Sequence, residues 1–209
     1  MLFLFDYDGV IVDSFDQLLD LCVRAQGSLG VGRSPTAEDF RTIERLDFKS
    51  IAGAIGIPEE MAADYAKRVF ALQEENWSVK LFEGIAEAFR ALAERDTLAV
   101  ITASHTEPVE ATLRDLGIAS TISSVMGGER GKSKAERIAI AMEKYSHSPS
   151  DTFMIGDAIS DVREGKRAGV KTVAVSWGFQ DRELLAGERP DFLVDDPADL
   201  LKIRRDDDR

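Results

Sequence analysis

Apolar and polar positions follow two different patterns along this chain. Short unbroken apolar runs, of the length that forms strands buried on both faces, occur at the start and recur after residue 85, with segments of helical periodicity between them. Residues 15 to about 80 lack such runs and carry helical periodicity. Strands that alternate with helices of this length are joined by crossovers, which give a parallel sheet. The pattern predicts an α/β domain with helices on both faces of its sheet, interrupted after the first strand by a small all-α domain.

The predicted elements can be placed along the sequence. Strands are predicted at residues 2–5, 98–102, 122–126, 152–155, 172–175 and, with a weaker pattern, 192–194. Helices of the α/β part are predicted at 85–94, 107–116, 133–145, 160–168 and 182–186, and those of the insert at 15–29, 36–46, 48–55 and 59–77. We assign residues 1–14 and 83–209 to the α/β domain and residues 15–82 to the helical domain. The last six residues, RRDDDR, are predicted to be a frayed tail.

Composition and charge narrow the class of protein. The chain has 209 residues, of which 44% are hydrophobic, so it can bury one good core and is not disordered. Its formal net charge of -12 argues against nucleic acid or an anionic membrane as the main partner, because both require a basic face. No apolar run approaches the length of a membrane span and no basic signal-peptide segment is present, so we expect a cytoplasmic protein. The single cysteine, Cys22, falls in an apolar helical register and is predicted to be buried rather than reactive.

Three of the predicted strands end in segments that carry polar groups. These strand-end residues are Asp6, Asp8, Thr102, Ala103, Ser104, Asp157 and Asp161. Taken singly, each has an ordinary explanation as a solvated turn residue or a helix cap. The carboxyl ends of parallel strands meet at one edge of the sheet, however, and ligands of open α/β sheets bind at that edge. Several carboxylates there favour a hard cation such as Mg²⁺, whereas zinc prefers His or Cys, and the chain has 2 His.

Four short segments carry a resemblance to a known family. In chain order they read FDYDGVIVDS, ITAS, GKSK and GDAISD. They resemble the four motifs of the haloacid dehalogenase superfamily, and most of all its phosphoglycolate phosphatase-like branch, whose helical cap lies between the first two motifs. The resemblance implies a Rossmann-like α/β core, a helical cap formed here by residues 15–82, and hydrolysis of a small-molecule phosphate ester.

The resemblance also implies roles for the acidic residues. Asp6 would attack phosphorus to form an aspartyl-phosphate, and Asp8 would protonate the leaving group and later deprotonate the attacking water. A Mg²⁺ ion would be held by Asp6, Asp157 and the main-chain carbonyl of Asp8. Asp161 would belong to the same metal site, where it would orient the lysine or a water on the metal. A carboxylate is a weak nucleophile, so this scheme works only if a cation neutralises the phosphoryl charge.

Three kinds of group are expected to hold the phosphoryl oxygens. They are the Thr102 hydroxyl, the Ala103 amide with Ser104 beside it, and a lysine ammonium. Two lysines compete for this role, because the chain reads KSKA where related phosphatases often have Lys-Pro-x-Pro. Gap-free spacing back from the fourth motif favours Lys132, whereas the Ser-Lys order favours Lys134. We take Lys132 as the catalytic lysine and Lys134 as a further substrate contact.

Substrate specificity is expected to come from the helical domain, because an insert that hinges from the nucleophile's loop can open and close a site. Arg41, Arg45 and Lys49 fall at i, i+4 and i+8 and would form a cationic stripe if one helix ran through Asp47. Arg45 could then bind a second anionic group of the substrate. The alternative is a solvated face whose cations pair with neighbouring acids.

Other functions stay open at this point. A dehalogenase of the same fold would leave Asp8 and Asp157 idle, whereas a phosphomutase would keep all four motifs. A non-catalytic phosphoester-binding protein is a third alternative, against which the intact motif residues argue. The natural ester, and the choice between a monomer and a homodimer, cannot be read from the sequence.

Overall fold

A computed structural model of the chain describes residues 1–75 and 77–203, except for the side chain of Arg130. The predicted tail at 204–209 lies outside the described residues. The chain divides into two compact units, one formed by residues 1–13 with residues 80 onward and the other by residues 14–79. None of the helices in the described part of the chain combines the length and apolar character needed to cross a membrane.

The first unit is built on a parallel sheet. The described strands are β1 Leu2–Phe5, β2 Val12–Asp13, β3 Lys80–Leu81, β4 Thr97–Ile101, β5 Ser124–Met126, β6 Thr152–Gly156, β7 Lys171–Val175 and β8 Phe192–Val194. Six of them form one sheet in the order β5-β4-β1-β6-β7-β8, with every neighbouring pair parallel. Strands β2 and β3 form a separate antiparallel pair, which the sequence pattern does not predict.

Helices lie between most of these strands and are the regular secondary structure described in the second unit. In the first unit they are α5 Ile85–Ala93, α6 Thr106–Asp115, α7 Lys134–Tyr145, α8 Ile159–Ala168 and α9 Arg182–Gly187. In the second unit they are α1 Phe15–Leu29, α2 Ala37–Thr42, α3 Phe48–Ala54 and α4 Glu59–Glu75. The predicted α/β fold with a parallel sheet flanked by helices is confirmed.

The first strand lies at the centre of the sheet because all four of its residues are apolar. Leu2 to Phe5 are fully buried, and each pairs with a residue of β4 on one side and of β6 on the other. Phe3 stacks on Phe153 of β6 with ring centroids 5.2 Å apart. Complete burial of one such ring stabilises the fold by about 1.5–3 kcal/mol, so the strand is firmly anchored. The register places the carboxyl ends of β1, β4 and β6 side by side.

The second unit differs from the prediction in one respect that affects the proposed stripe. The predicted helix 36–46 ends at Thr42, because the backbone of Ile43 is extended. Asp47 then caps the next helix by accepting a hydrogen bond from Ser50 N at 2.8 Å. No single helix runs through Asp47, so the condition for the cationic stripe is not met. Arg45 instead pairs with Asp47, Nε to Oδ2 at 3.0 Å, with 69% of its side chain exposed, as the solvated alternative predicts.

The cysteine prediction is confirmed. Cys22 is fully buried in α1, and burial raises the pKa of its thiol to about 12. Its main-chain carbonyl accepts a hydrogen bond from the Tyr65 hydroxyl of α4 at 3.3 Å. A thiol in this setting stays protonated at neutral pH and is therefore a packing residue.

The predicted helix 59–77 is described as far as Glu75, and residue 76 lies outside the described residues.

Candidate active site

Three acidic side chains converge at the carboxyl ends of β1 and β6. Asp6 follows β1, and its main-chain N–H donates to Ile155 O of β6 at 2.8 Å, which holds the two strand ends together. Asp157 follows β6, and Asp161 lies in the first turn of α8. One carboxylate oxygen from each of these three acids lies within 4.8 Å of the others. This spacing allows a shared cation.

The Asp157 carboxylate is held in a tightly packed pocket of main chain. It is 1% exposed, and its Oδ2 accepts a hydrogen bond from Phe179 N at 2.7 Å. Gly9 and Gly178 pack so closely against it that a Cβ at either position would overlap Asp157 atoms. Gly9 also has φ +76°, a left-handed backbone that glycine adopts without strain. Burial, and then the charges of Asp161 and Asp6, raise the pKa of Asp157 well above its usual range.

The lysine that reaches this cluster is Lys134. Its Nζ lies 2.9 Å from Asp6 Oδ2 and also donates to Asp161 Oδ1. Burial alone would lower the pKa of Lys134, but the charges of Asp161 and Asp6 outweigh that effect and raise it. Burial raises the pKa of Asp161, and the positive charge of Lys134 offsets part of that rise. Lys134 is therefore a fixed cation between two of the three acids.

The choice of Lys132 is corrected by this placement. Ser133 is the N-cap of α7 and forms a capping box with Glu136, so the helix begins at Lys134. Lys132 precedes the cap and is exposed to solvent. Residue spacing back from the fourth motif does not locate the start of α7. The start of that helix determines which lysine faces the acids.

The loop of residues 102–104 follows β4, which neighbours β1 on the side opposite to β6. Thr102 is buried, and its Oγ1 accepts a hydrogen bond from Ser104 N at 3.0 Å. Ser104 Oγ in turn donates to Asp8 Oδ2 at 2.9 Å. Ala103, between them, is exposed. The structure thus brings Asp8 next to Ser104, whereas the carboxylates of Asp6, Asp157 and Asp161 form a separate cluster.

Two buried side chains at this edge were missed by sequence analysis. Arg137 of α7 is 7% exposed and donates to main-chain carbonyls at the ends of β4 and β5. Gln180 is fully buried, and its Oε1 accepts a hydrogen bond from Ile159 N at the start of α8 at 2.7 Å. Arg137 could have been found, because it lies three residues after Lys134 and directly before Ile138 on the apolar face of α7. Gln180 had no comparable signal.

The donor set fits a divalent, oxygen-binding cation. Three carboxylates lie close together, Lys134 is the one ammonium that contacts them in the described part of the chain, and Asp157 and Asp161 are almost fully buried. Mg²⁺ is usually held by one or two carboxylates and keeps several waters, so Asp6 and Asp157 suffice if Lys134 occupies Asp161. The edge could therefore hold a divalent cation beside the Asp6 carboxylate, and the hydroxyl and main-chain amide groups of the loop after β4 lie at the neighbouring strand end.

Comparison with known proteins agrees with this geometry. Residues 3–175 match the family described as haloacid dehalogenase-like hydrolase. Phosphoglycolate phosphatase from Synechococcus elongatus is 28% identical over 202 residues, which cover 95% of this chain and 94% of that protein. Pyrophosphatase PpaX from Listeria innocua is also 28% identical and covers 98% of this chain and 96% of its own. A solved haloacid dehalogenase-like hydrolase from Streptococcus pneumoniae has a TM-score of 0.86 at 22% identity, with 96% of each chain covered.

The family match spans all four motifs that carried the resemblance, from FDYDG after the first strand to GDAISD after β6. The predicted family is therefore confirmed, and its phosphoglycolate phosphatase-like branch supplies relatives that cover nearly the whole chain. The protein belongs to the haloacid dehalogenase-like hydrolase family.

Proposed function

We propose that this hydrolase is a Mg²⁺-dependent phosphatase that cleaves a small-molecule phosphate monoester through an aspartyl-phosphate on Asp6. The observation that carries the proposal is the position of Asp6. Its carboxylate lies beside the buried acids Asp157 and Asp161 and contacts the ammonium of Lys134 at 2.9 Å. A nucleophilic carboxylate needs such neighbours, because both a cation and fixed donors must neutralise the phosphoryl group that it attacks.

The first half of the reaction transfers the phosphoryl group to the protein. An oxygen of Asp6 forms a bond to phosphorus, the bond from phosphorus to the ester oxygen breaks, and the leaving oxygen takes a proton from Asp8. In the second half a water gives its proton to Asp8 and attacks phosphorus, which breaks the bond to Asp6 and releases inorganic phosphate. Mg²⁺, held by Asp6 and Asp157, would neutralise phosphoryl charge when bound. Proton transfer by Asp8 is worth about 10²–10⁴ in rate.

The contact between Asp8 and Ser104 supports the acid-base role. The Ser104 hydroxyl donates to Asp8 Oδ2, which fixes the orientation of the carboxylate at the position where the leaving oxygen would need a proton. This differs from the expectation that Ser104 binds substrate, and we propose that it orients Asp8. Thr102 Oγ1, the Ala103 amide and Lys134 are then the groups proposed to hold the phosphoryl oxygens, the positioning work that dominates phosphoryl transfer.

Dehalogenation, the other hydrolytic reaction considered for this fold, has less support than phosphate ester hydrolysis. Carbon-halogen cleavage by a carboxylate requires neither a proton donor for the leaving group nor a metal ion. Asp8, oriented by Ser104, and the buried Asp157 would then have no role in the reaction. Asp157 nevertheless occupies a position where burial disfavours its ionised form. A phosphate substrate uses both residues.

The substrate class follows from the relatives and the proposed cap. Two relatives that match nearly the full chain are named for phosphoglycolate and for pyrophosphate, both small and strongly anionic. We propose that the natural substrate is of this kind and that residues 14–79 act as the cap that selects it. A panel of phosphorylated metabolites that includes phosphoglycolate and pyrophosphate, assayed for phosphate release, tests the choice.

The mechanism is tested by Asp6→Asn. The amide cannot form the aspartyl-phosphate, so phosphate release from p-nitrophenyl phosphate with Mg²⁺ should fall to background, while beryllium fluoride, a mimic of the phosphoryl group, should inhibit the wild type. Asp115→Asn, an exposed change at the end of α6, is the matched control and should keep full activity. Near-normal turnover by Asp6→Asn, or full wild-type turnover in excess EDTA, would overturn the proposal.

A further inference from the structure

We propose that Arg137 is a positioning residue that fixes the loop after β4 from behind, so that the Ala103 amide and the Thr102 hydroxyl face the phosphoryl group. This inference rests on the proposed function. The juxtaposition that carries it is a buried guanidinium hydrogen-bonded to the main-chain carbonyls of Thr102 and Met126, the residues at the ends of two adjacent strands.

The guanidinium has an unusual set of partners. Arg137 Nη1 donates to Thr102 O and, at 2.9 Å, to Met126 O, while Nε lies 3.4 Å from Ser133 O. All of these acceptors are main-chain carbonyls, and within residues 1–75 and 77–203 no carboxylate forms an ion pair with Arg137. Burying a charge without a carboxylate partner is costly, so a position that only needed filling would favour an apolar side chain. The arrangement indicates that the donors themselves are needed.

Clamping the Thr102 carbonyl has a direct geometric consequence. The peptide unit is planar and trans, so the carbonyl of Thr102 and the N–H of Ala103 point in opposite directions from the same plane. With the carbonyl turned into the buried guanidinium, the Ala103 N–H must point away from Arg137, and Ala103 is exposed. The contact therefore fixes the direction of one proposed phosphate donor.

The second clamped carbonyl ties this loop to its neighbour. Met126 O accepts from Arg137 and also from Thr102 N at 3.2 Å, so the guanidinium supports the last pairing between β4 and β5. The next residue, Gly127, donates its N–H to Thr106 Oγ1 at 3.0 Å at the start of α6. A single side chain thus contacts the ends of both β4 and β5, and of these β4 leads into the loop with the proposed phosphate donors.

The charge of Arg137 acts on the same place. Burial lowers the pKa of its guanidinium, and the charge of Asp6 is foremost among those that oppose this effect, followed by Glu129 and Glu164. Arginine nonetheless stays protonated in proteins. Since electrostatic influence is mutual, Arg137 adds a fixed positive potential at Asp6, where the phosphoryl group would be bound, without touching the substrate.

The test compares Arg137→Met with Arg137→Lys. Met is an unbranched apolar side chain that removes both charge and donors. Lys keeps the charge, but its side chain is one atom shorter and lacks the Nε–H that faces Ser133 O. We expect Arg137→Met to lose about 10²-fold in kcat, the effect typical of a small misplacement of catalytic groups, and to bind inorganic phosphate more weakly as an inhibitor. Arg137→Lys should recover part of both losses. The Mg²⁺ concentration needed for half-maximal activity should not rise in either variant, because loss of a positive charge near Asp6 does not weaken cation binding.

A merely structural role would give a different result. Arg114→Met, an exposed change on α6, is the control and should alter neither kcat nor phosphate inhibition. If folded Arg137→Met keeps its kcat within twofold, or if both variants also require much more Mg²⁺, this inference is overturned. Should Arg137→Met not fold, Arg137→Lys decides the matter by the same two readouts. A wild-type protein without phosphatase activity would overturn the proposed function instead, so the two failures are distinguishable.

Discussion

Replacing Asp157 by asparagine should stabilise the metal-free protein while removing its response to Mg²⁺. Asp157 is buried among like charges, and its pKa is raised well above its usual range first by burial and then by Asp161 and Asp6. A raised carboxyl pKa means that folding disfavours the ionised form, so the wild type loses stability as pH rises above about 4, the ordinary value for Asp. Asparagine keeps the size of the side chain, and its Oδ1 can still accept from Phe179 N. The substitution therefore removes first the cost of burying a charge and then the repulsion by Asp161 and Asp6.

The size of the effect can be estimated from the geometry. Carboxylates about 5 Å apart repel by about 3 kcal/mol per pair at an effective dielectric constant near 20. The three acids lie within 4.8 Å of one another, but Lys134 contacts Asp6 and Asp161 and offsets part of the total. We expect a net gain of about 2 kcal/mol in the free energy of unfolding, which raises Tm by about 4–8 °C for a chain of this size.

The assay is thermal and urea unfolding in EDTA and then in saturating Mg²⁺. In EDTA at neutral pH, Asp157→Asn should unfold at higher temperature than the wild type, and the difference should shrink as pH falls toward 4 because Asp157 becomes protonated. With Mg²⁺ at about 100 times its Kd, the wild type should gain about 2.7 kcal/mol and the variant far less. Asp115→Asn should behave as the wild type throughout. A variant less stable than the wild type in EDTA would refute the argument that these acids repel one another without a cation.

Two further changes probe how the acids are held. Gly9→Ala should weaken Mg²⁺ activation and destabilise the protein, since a Cβ there would overlap Asp157 and the left-handed backbone costs an L-residue about 1–2 kcal/mol. The control is Gly27→Ala in α1, where nothing lies within 4 Å, and it should be neutral or slightly stabilising. Equal effects of the two substitutions on stability would count against the packing argument. Gln180→Leu should lower the free energy of unfolding by about 1–2 kcal/mol, because Ile159 N loses its acceptor. It should also raise the Mg²⁺ concentration needed for activity, because α8 carries Asp161. An unchanged free energy of unfolding would show that Gln180 does not stabilise the site.

The sheet could be predicted from sequence because its strands are buried on both faces. A strand such as β1 must then be apolar throughout, and a run of four apolar residues directly before two acids leaves little ambiguity. The same boundary locates the site, since polarity returns where the strand leaves the core. Asp6, Thr102 and Asp157 could all be found in this way.

What could not be predicted depended on where helices begin and end. The end of α2 at Thr42 and the cap at Asp47 separate Arg41 from Lys49, although their spacing fits one continuous helix. The capping box at Ser133 likewise selects Lys134 over Lys132. A shift of one turn or less changes the face of every residue that follows, and single-sequence patterns do not fix helix ends that closely.

The charges at the edge of the sheet imply an order of events within the proposed reaction. When all three acids are ionised, Asp6, Asp157 and Asp161 outnumber the two nearby cations, Lys134 in contact with Asp6 and Asp161 and Arg137 acting on Asp6 through its charge, which leaves one net negative charge before Asp8 is considered. An edge of that sign repels a phosphate dianion. A divalent cation reverses the sign, so substrate should bind well only after the metal. The buried acids, which cost the metal-free protein stability, would thereby couple phosphate binding to the presence of Mg²⁺.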